Sequence, residues 1–305
     1  MTDNHIKIEL IIPSEMAGKR IDIAIASLLP DYSRARIQTW ISNHELLVND
    51  KAVKPKDKVF GGETVIISCH LEDEGDWQAQ EIPLHVIYED AHLIVIDKPV
   101  GLVVHPGAGI KEGTLVNALL YHYPELAKLP RAGIVHRLDK DTSGLMVVAR
   151  SIKAHTQLVQ ALSQRVVKRV YQAIAKGDLS TGGKIDAPIG RDPQNRINMA
   201  VVTTGKQAIT HYKILDRFGK YTYIECRLET GRTHQIRVHM AHIGHPLLGD
   251  QTYAPHEQDP RLKSFKRQAL HAVELSFVHP EHGEVLTFTS TLPEDFCSIL
   301  RLLGE

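Results

Sequence analysis

Gly133-Ile134-Val135-His136-Arg137-Leu138-Asp139-Lys140-Asp141-Thr142-Ser143-Gly144 is a short apolar run followed by a polar loop that glycine closes, and it leads into the apolar run Leu145-Met146-Val147-Val148-Ala149. A loop between two strands displays side chains from a rigid base. Asp, Lys, Thr, Ser and Gly are also what ordinary turns use, so composition leaves two readings open: a plain turn, or a loop that presents Asp139. Further strand-like runs surround it, at 92–96, 170–175, 221–228 and 236–240, with helices expected over 114–123, 151–164 and 293–303. Strands and helices do not alternate regularly, as a doubly wound fold would require. The pattern therefore predicts an α+β fold built on a mixed, largely antiparallel sheet with flanking helices.

Upstream, residues 20–29 carry Ile21, Ile25 and Leu28 at helical spacing, Pro30 is expected to stop the run, and Ser33 is expected as the N-cap of a second helix holding Ile37, Trp40 and Ile41. Arg34 and Arg36 occupy that helix's first turn, where they oppose the helix dipole; binding phosphate would account for both. Leu46-Leu47-Val48 and Lys51-Ala52-Val53 flank the turn Asn49-Asp50, and Gly61-Gly62 precedes the strand Thr64-Val65-Ile66-Ile67. A polar, acidic connection then runs to Pro83. The expected organisation is a small unit over 1–75, a linker over 76–83 and a larger domain over 84–305.

Lys+Arg and Asp+Glu both total 36, so no global excess of positive charge marks a nucleic-acid binder. Distribution matters instead. Acidity concentrates in Glu72-Asp73-Glu74-Gly75-Asp76, and basicity in 51–58, in Arg165-Val166-Val167-Lys168-Arg169 and around Arg232 and Arg237. The three cysteines, Cys69, Cys226 and Cys297, are scattered and suggest neither a disulfide framework nor a thiolate zinc site. No run of about 18 uncharged apolar residues is present to cross a bilayer, and the first residues lack the pattern of a signal peptide, so a cytoplasmic location is expected.

The tetrad His136-Arg137-Leu138-Asp139 followed by Thr142-Ser143-Gly144 resembles the signature of the RluA family of pseudouridine synthases, in which this Asp is the catalytic residue. Lys168-Arg169-Val170-Tyr171-Gln172-Ala173 is similar to the family's second motif. Thr230-Gly231-Arg232-Thr233-His234-Gln235-Ile236-Arg237-Val238-His239-Met240 is similar to the third, and continues into Gly244-His245-Pro246-Leu247-Leu248-Gly249-Asp250. The likeness spans 84 to about 300 and is nearest to the RluD branch, which implies uridines in the helix 69 stem-loop of 23S ribosomal RNA, free or in a large-subunit particle, as substrate. The N-terminal unit resembles the alpha-L RNA-binding fold first recognised in a small-subunit ribosomal protein, through Arg20-Ile21-Asp22, Ser33-Arg34-Ala35-Arg36, Val48-Asn49 and Lys54-Pro55; Asp50 stands where that pattern has Gly.

The resemblance implies Asp139 as nucleophile or base, Arg237 as its ion-pair partner, and Tyr171 stacking on a flipped base. Arg137, Arg34, Arg36, Lys54, Arg165, Lys168, Arg169 and Arg232 would contact RNA. The reaction breaks N1–C1′, turns the uracil and joins C5 to C1′, so no cofactor is expected, and no Rossmann or P-loop glycine pattern is present. Burial alone would neutralise a carboxylate, hence the need for a nearby cation. On a strand over 234–240, Gln235, Arg237 and His239 would share the site-facing side. Structural roles remain the alternatives: an ordinary ion pair for Arg237 and a core aromatic for Tyr171.

Two other functions compete. His234, His239, His242 and His245 cluster as zinc ligands might, but no His-Glu-x-x-His occurs, strand geometry would put His234 and His239 on opposite faces, and Arg237 would repel a cation. A pure RNA-binding protein would share the N-terminal half, yet would not be expected to keep Asp139, Tyr171 and Arg237 together. Pro106-Gly107-Ala108-Gly109 lacks the rest of a phosphate loop and is read as a plain loop.

Overall fold

A computed structural model describes residues 5–29, 32, 34–70, 77–106, 110–195 and 197–305; Pro30, Ser33, the acidic run 72–76 and Gly107-Ala108-Gly109 lie outside the described residues. The N-terminal part runs β1 (His5–Ile11), α1 (Ile21–Leu28), α2 (Arg34–Ser42), β2 (Leu46–Val48), β3 (Lys51–Ala52) and β4 (Thr64–His70), with sheet order β1-β4-β2-β3. Ile21, Ile25, Ile37, Trp40 and Ile41 bring the two helices onto Leu46, Val65 and Ile67 in one buried cluster. The β2–β3 hairpin closes through Asn49 and Asp50 at φ 48° and 60°. Asn and Asp tolerate left-handed backbone, so Asp50 serves where Gly would be easier.

Arg34 also has a partner inside the protein. Asp22 in α1 is fully buried and accepts hydrogen bonds from Arg20, from Arg34 at 2.8 and 3.0 Å, and from Gln38 at 2.6 Å. Burial opposes its charge, but Gln38, Arg34 and Arg20 outweigh that and hold the carboxyl down at about 2. Arg34 thus has a structural reason to stand at the start of α2, which the dipole argument did not foresee.

The remainder runs β5 (Val86–Glu89), β6 (Leu93–Lys98), α3 (Leu115–His122), β7 (Ser143–Ala149), α4 (Ile152–Ser163), β8 (Lys168–Lys176), β9 (Gly183–Asp186), β10 (Ile189–Arg191), β11 (Met199–Val201), β12 (Ile209–Arg217), β13 (Tyr221–Leu228), α5 (Gln235–His242), β14 (Leu270–Val278), β15 (Val285–Thr289) and α6 (Glu294–Gly304). The main sheet has order β5-β6-β7-β14-β8-β13-β12-β9, with β15 on β14 and β10-β11 as a separate pair. Among these ladders only β7–β14 is parallel, so the sheet is mixed and largely antiparallel, as expected.

Strands β6 and β7 are buried on both faces, and alternation sorts their side chains into two layers. Ile94, Ile96, Met146 and Val148 join the cluster that contains Leu115, Leu119 and Tyr171. Leu93, Val95, Leu145 and Val147 pack with Ala154 and Leu158 of α4. A Thr114–Asn117 capping box starts α3, and Ser151 caps α4 by accepting from the Ala154 amide. At the entry to β7, Gly144 has φ 112°, and a Cβ there would lie 2.3 Å from the Ala272 carbonyl oxygen. Only glycine fits where the Asp139 loop meets the parallel β7–β14 ladder.

The expectation for 236–240 fails: this segment is helix α5, not a strand. The alternation of Ile236, Val238 and Met240 with Gln235, Arg237 and His239 mimics a strand because the helix is buried on every side, from Gln235 to Met240. Each buried polar group finds its own partner, Gln235 on Ile209 and Thr210, Arg237 on Asp250, and His239 on Thr210 and Ala187. No polar helix face remains to reveal a period of 3.6.

Candidate active site

Asp139 projects from the loop between Ile134 and β7, which is held from below by a buried ammonium. Lys98 at the end of β6 is 1% exposed and donates to the carbonyls of Pro99, Leu102 and Lys140 at 2.8, 2.9 and 2.9 Å. Burial pulls its pKa down to about 8 against the opposing pull of Asp141 and Asp139. Gln268 donates to Thr142 at 3.0 Å, and Ser143 bonds to His271 at 2.8 Å, fixing the loop's exit.

Arg237 Nη1 donates to Asp139 Oδ2 at 3.1 Å. The stronger, two-point contact is elsewhere: Nε and Nη2 grip the two oxygens of Asp250 at 2.7 and 2.9 Å, and Nη2 also donates to Thr252 at 3.0 Å. Asp250 is fully buried and takes the Thr252 and Tyr253 amides as well. Desolvation disfavours charge on both residues; their mutual hydrogen bonds and attraction reverse it, raising the Arg237 pKa and lowering that of Asp250. The Tyr253 ring lies 5.1 Å beneath the guanidinium.

His234, at φ 56° just before α5, turns Nε2 to within 3.8 Å of Asp139 Oδ1. Its Nδ1 is 2.9 Å from the Tyr253 hydroxyl, which accepts the Met199 amide at 3.1 Å. The hydroxyl proton is therefore free for Nδ1, leaving the imidazole proton on Nε2, facing Asp139. Burial lowers the His234 pKa, opposed by Asp139, and keeps the ring neutral.

These groups open into a cleft of about 750 Å³, whose wall includes Asp139, Tyr171, Arg237, His234, Trp77 and Leu138. The three proposed catalytic residues thus converge from a loop, strand β8 and helix α5. Arg137, Arg165, Arg169 and Arg232 also line the cleft. Arg165 contacts Glu229 at 3.4 Å and Arg232 donates to the Gln207 carbonyl at 3.0 Å. Lys168 lies outside the lining and pairs with Glu274 at 2.7 Å. Arg34, Arg36 and Lys54 belong to the N-terminal unit and do not line it.

The histidines weighed as zinc ligands go separate ways: His239 to Thr210 and Ala187, His245 to the Lys176 carbonyl, His234 to the site. Asp250, Lys98 and Tyr253 were not singled out from sequence. Asp250 closes a quoted motif, and a buried Arg is a signal to look for a second carboxylate.

The sequence matches the RNA pseudouridylate synthase family over 92–242 and the S4 domain over 19–65. It is 50% identical over 303 residues to a ribosomal large subunit pseudouridine synthase D of Pseudomonas aeruginosa, covering 96% of this chain and 95% of that one. The protein of the same name in Haemophilus influenzae is 51% identical over 302 residues, covering 96% and 93%. Among solved structures, human RNA pseudouridylate synthase domain containing 4 superposes with a TM-score of 0.58 at 27% identity, over 72% of this chain and 93% of that one. Near-full-length identity of this order, on a fold of matching architecture, means that the chain belongs to the RNA pseudouridylate synthase family and is a pseudouridine synthase with an S4 RNA-binding domain.

Proposed function

We propose that the chain converts uridines of large-subunit (23S) ribosomal RNA, in the helix 69 stem-loop, to pseudouridine in the cytoplasm without a cofactor. Asp139 acts as nucleophile at C1′ or as base toward C2′, Arg237 orients it, and Tyr171 stacks on the flipped base. The observation that carries this reading is the Asp139–Arg237–Asp250 chain at the floor of an arginine-lined cleft. Because Arg237 is already matched by Asp250, the three groups keep one net negative charge. Asp139 is aimed by a hydrogen bond without being cancelled, as a nucleophilic carboxylate requires. Among the described residues no helix is long and apolar enough to cross a membrane.

The same proposal divides the labour between an RNA-gripping unit over 1–75 and a catalytic unit over 84–305. Arg36, Lys54 and the exposed part of Arg34 hold phosphates in the first. Arg137, Arg165, Arg169 and Arg232 meet the target nucleotide and its neighbours in the second, and Lys168 meets the RNA beyond the cleft. The test maps pseudouridines in ribosomal RNA from cells lacking the gene, complemented with the wild-type or the Asp139→Ala chain. Helix 69 uridines should revert to unmodified in the deletion and be restored by the wild type alone. An unchanged helix 69 with losses in another RNA would overturn the assigned target.

A further inference from the structure

The deep end of the cleft holds a cation that has no counter-ion among the described residues. Arg169 is 7% exposed, lines the cleft, and stands two residues before Tyr171, so that both project from one face of β8. Its Nη1 packs so closely on Gly231 that a Cβ there would lie 2.6 Å away. Its Nε is buried without an acceptor, and among the described residues no carboxylate pairs with it. Other deeply buried cations are matched: Arg237 with Asp250, Arg267 with Asp295 at 2.6 Å, and Lys98 with three carbonyls. A buried guanidinium left unpaired opposes folding, so its retention calls for an acceptor that arrives with the occupant of the cleft.

We propose that Arg169 donates to a carbonyl oxygen of the flipped uracil and takes up the negative charge that gathers on the ring as N1–C1′ breaks. This rests on the reading of the cleft as the seat of a flipped uridine. When that bond breaks, its electron pair stays on the uracil and spreads to the carbonyl oxygens. Asp139 compensates C1′, by bonding to it or by removing the C2′ proton. The ring then turns and C5 bonds to C1′ as the Asp139–C1′ bond breaks or, on the elimination route, as Asp139 returns its proton to C2′; the C5 proton leaves to water and N1 takes a proton, so atoms and charge balance. No proton moves to or from Arg169, which stays a fixed donor throughout. Depth favours the base over a phosphate. Phosphates stay with the backbone at the mouth, where Arg137 and Arg165 are exposed, whereas Arg169 shares the floor with Tyr171, itself 6% exposed.

The test uses full-length wild type, Asp139→Asn, Arg169→Met and Arg169→Lys with a helix 69 stem-loop RNA, measuring single-turnover tritium release from C5-labelled uridine, RNA Kd at several salt concentrations, and Tm. Loss of one buried charge-stabilising donor should slow turnover by about 10²- to 10³-fold, with Kd changed by less than about threefold. Arg169→Lys keeps the charge without the planar fork and should lose most of the same rate. Neither variant should melt earlier than wild type. With 5-fluorouridine at the target, followed by its chromatographic disappearance, the Arg169→Met defect should shrink, because the more acidic ring needs less help in leaving. Weakened Kd with a shallower salt slope and unchanged turnover would make Arg169 a phosphate contact and overturn the proposal. So would a lower Tm with turnover intact, or equal losses on both RNAs. A wild type inactive on this RNA would instead count against the reading of the site.

Discussion

Arg237→Met removes the cation that holds two carboxylates together, and its cost follows from what each keeps. Asp139 faces the cleft and can take water, but Asp250 is fully buried and would retain only the Thr252 and Tyr253 amides. Breaking a buried pair by deleting one partner costs about 3–5 kcal/mol, and the two amides argue for the lower end, about 3 kcal/mol. For a domain of this size that is a fall in Tm of roughly 6–12 °C. The stranded charge has a signature in pH. In the wild type the Asp250 pKa is lowered, so its contribution is present at neutral pH and is lost as pH falls through the acid range. In Arg237→Met that pKa rises above its unfolded value, the charged form is penalised at neutral pH, and the gap between variant and wild type narrows on acidification. Adding Asp250→Asn should restore at least half of the lost Tm, a double-mutant coupling of some 1–3 kcal/mol. Thermal melts of the four proteins at pH 7.5 and 5 would check this. An Arg237→Met melt within about 2 °C of wild type, or no rescue by Asp250→Asn, would refute the view that Asp250 is the structural anchor of Arg237.

Lys98→Met should leave the Lys140, Pro99 and Leu102 carbonyls unsatisfied, cost about 1–3 kcal/mol in a denaturant melt, and lower kcat more than it raises KM, because the Asp139 loop loses its floor. Since the Lys98 pKa is lowered to about 8, the unfolded chain binds its proton more tightly, and the wild type should gain stability relative to this variant as pH rises from about 8 to 10. Gly144→Ala would place a Cβ 2.3 Å from a backbone oxygen, and should leave little soluble protein on expression. A chain beginning near Pro83 should bind RNA more weakly, and with a smaller salt slope in filter-binding titrations, than the full chain.

The N-terminal unit was legible because its signals are local: Ile21 and Ile25, Ile37 and Trp40, and Asn49-Asp50 each specify the element that contains them. The same holds for α3 and α4, where caps and periodicity agree, and for α6, where periodicity alone marks the helix. Helix α5 was misread because burial on all sides erased its amphipathic stripe and left an accidental alternation. Sequence named Asp139, Tyr171 and Arg237 through resemblance; it did not show that Arg237 reaches Asp139 with one nitrogen while Asp250 holds the other two. That division depends on α5 and the loop after it meeting in space, 13 residues apart in sequence. Arg34 is the opposite case, since helix-start electrostatics pointed to phosphate and could not foresee that Asp22, 12 residues upstream, also pairs with it.

The central claim is that Asp139 performs the chemistry, and tritium release from RNA labelled at uridine C5 tests it most directly. The wild type should release tritium from a helix 69 stem-loop, while Asp139→Asn, with RNA affinity and Tm close to wild type, should release none above background over many wild-type turnovers. Sustained release by the folded Asp139→Asn chain would contradict the account.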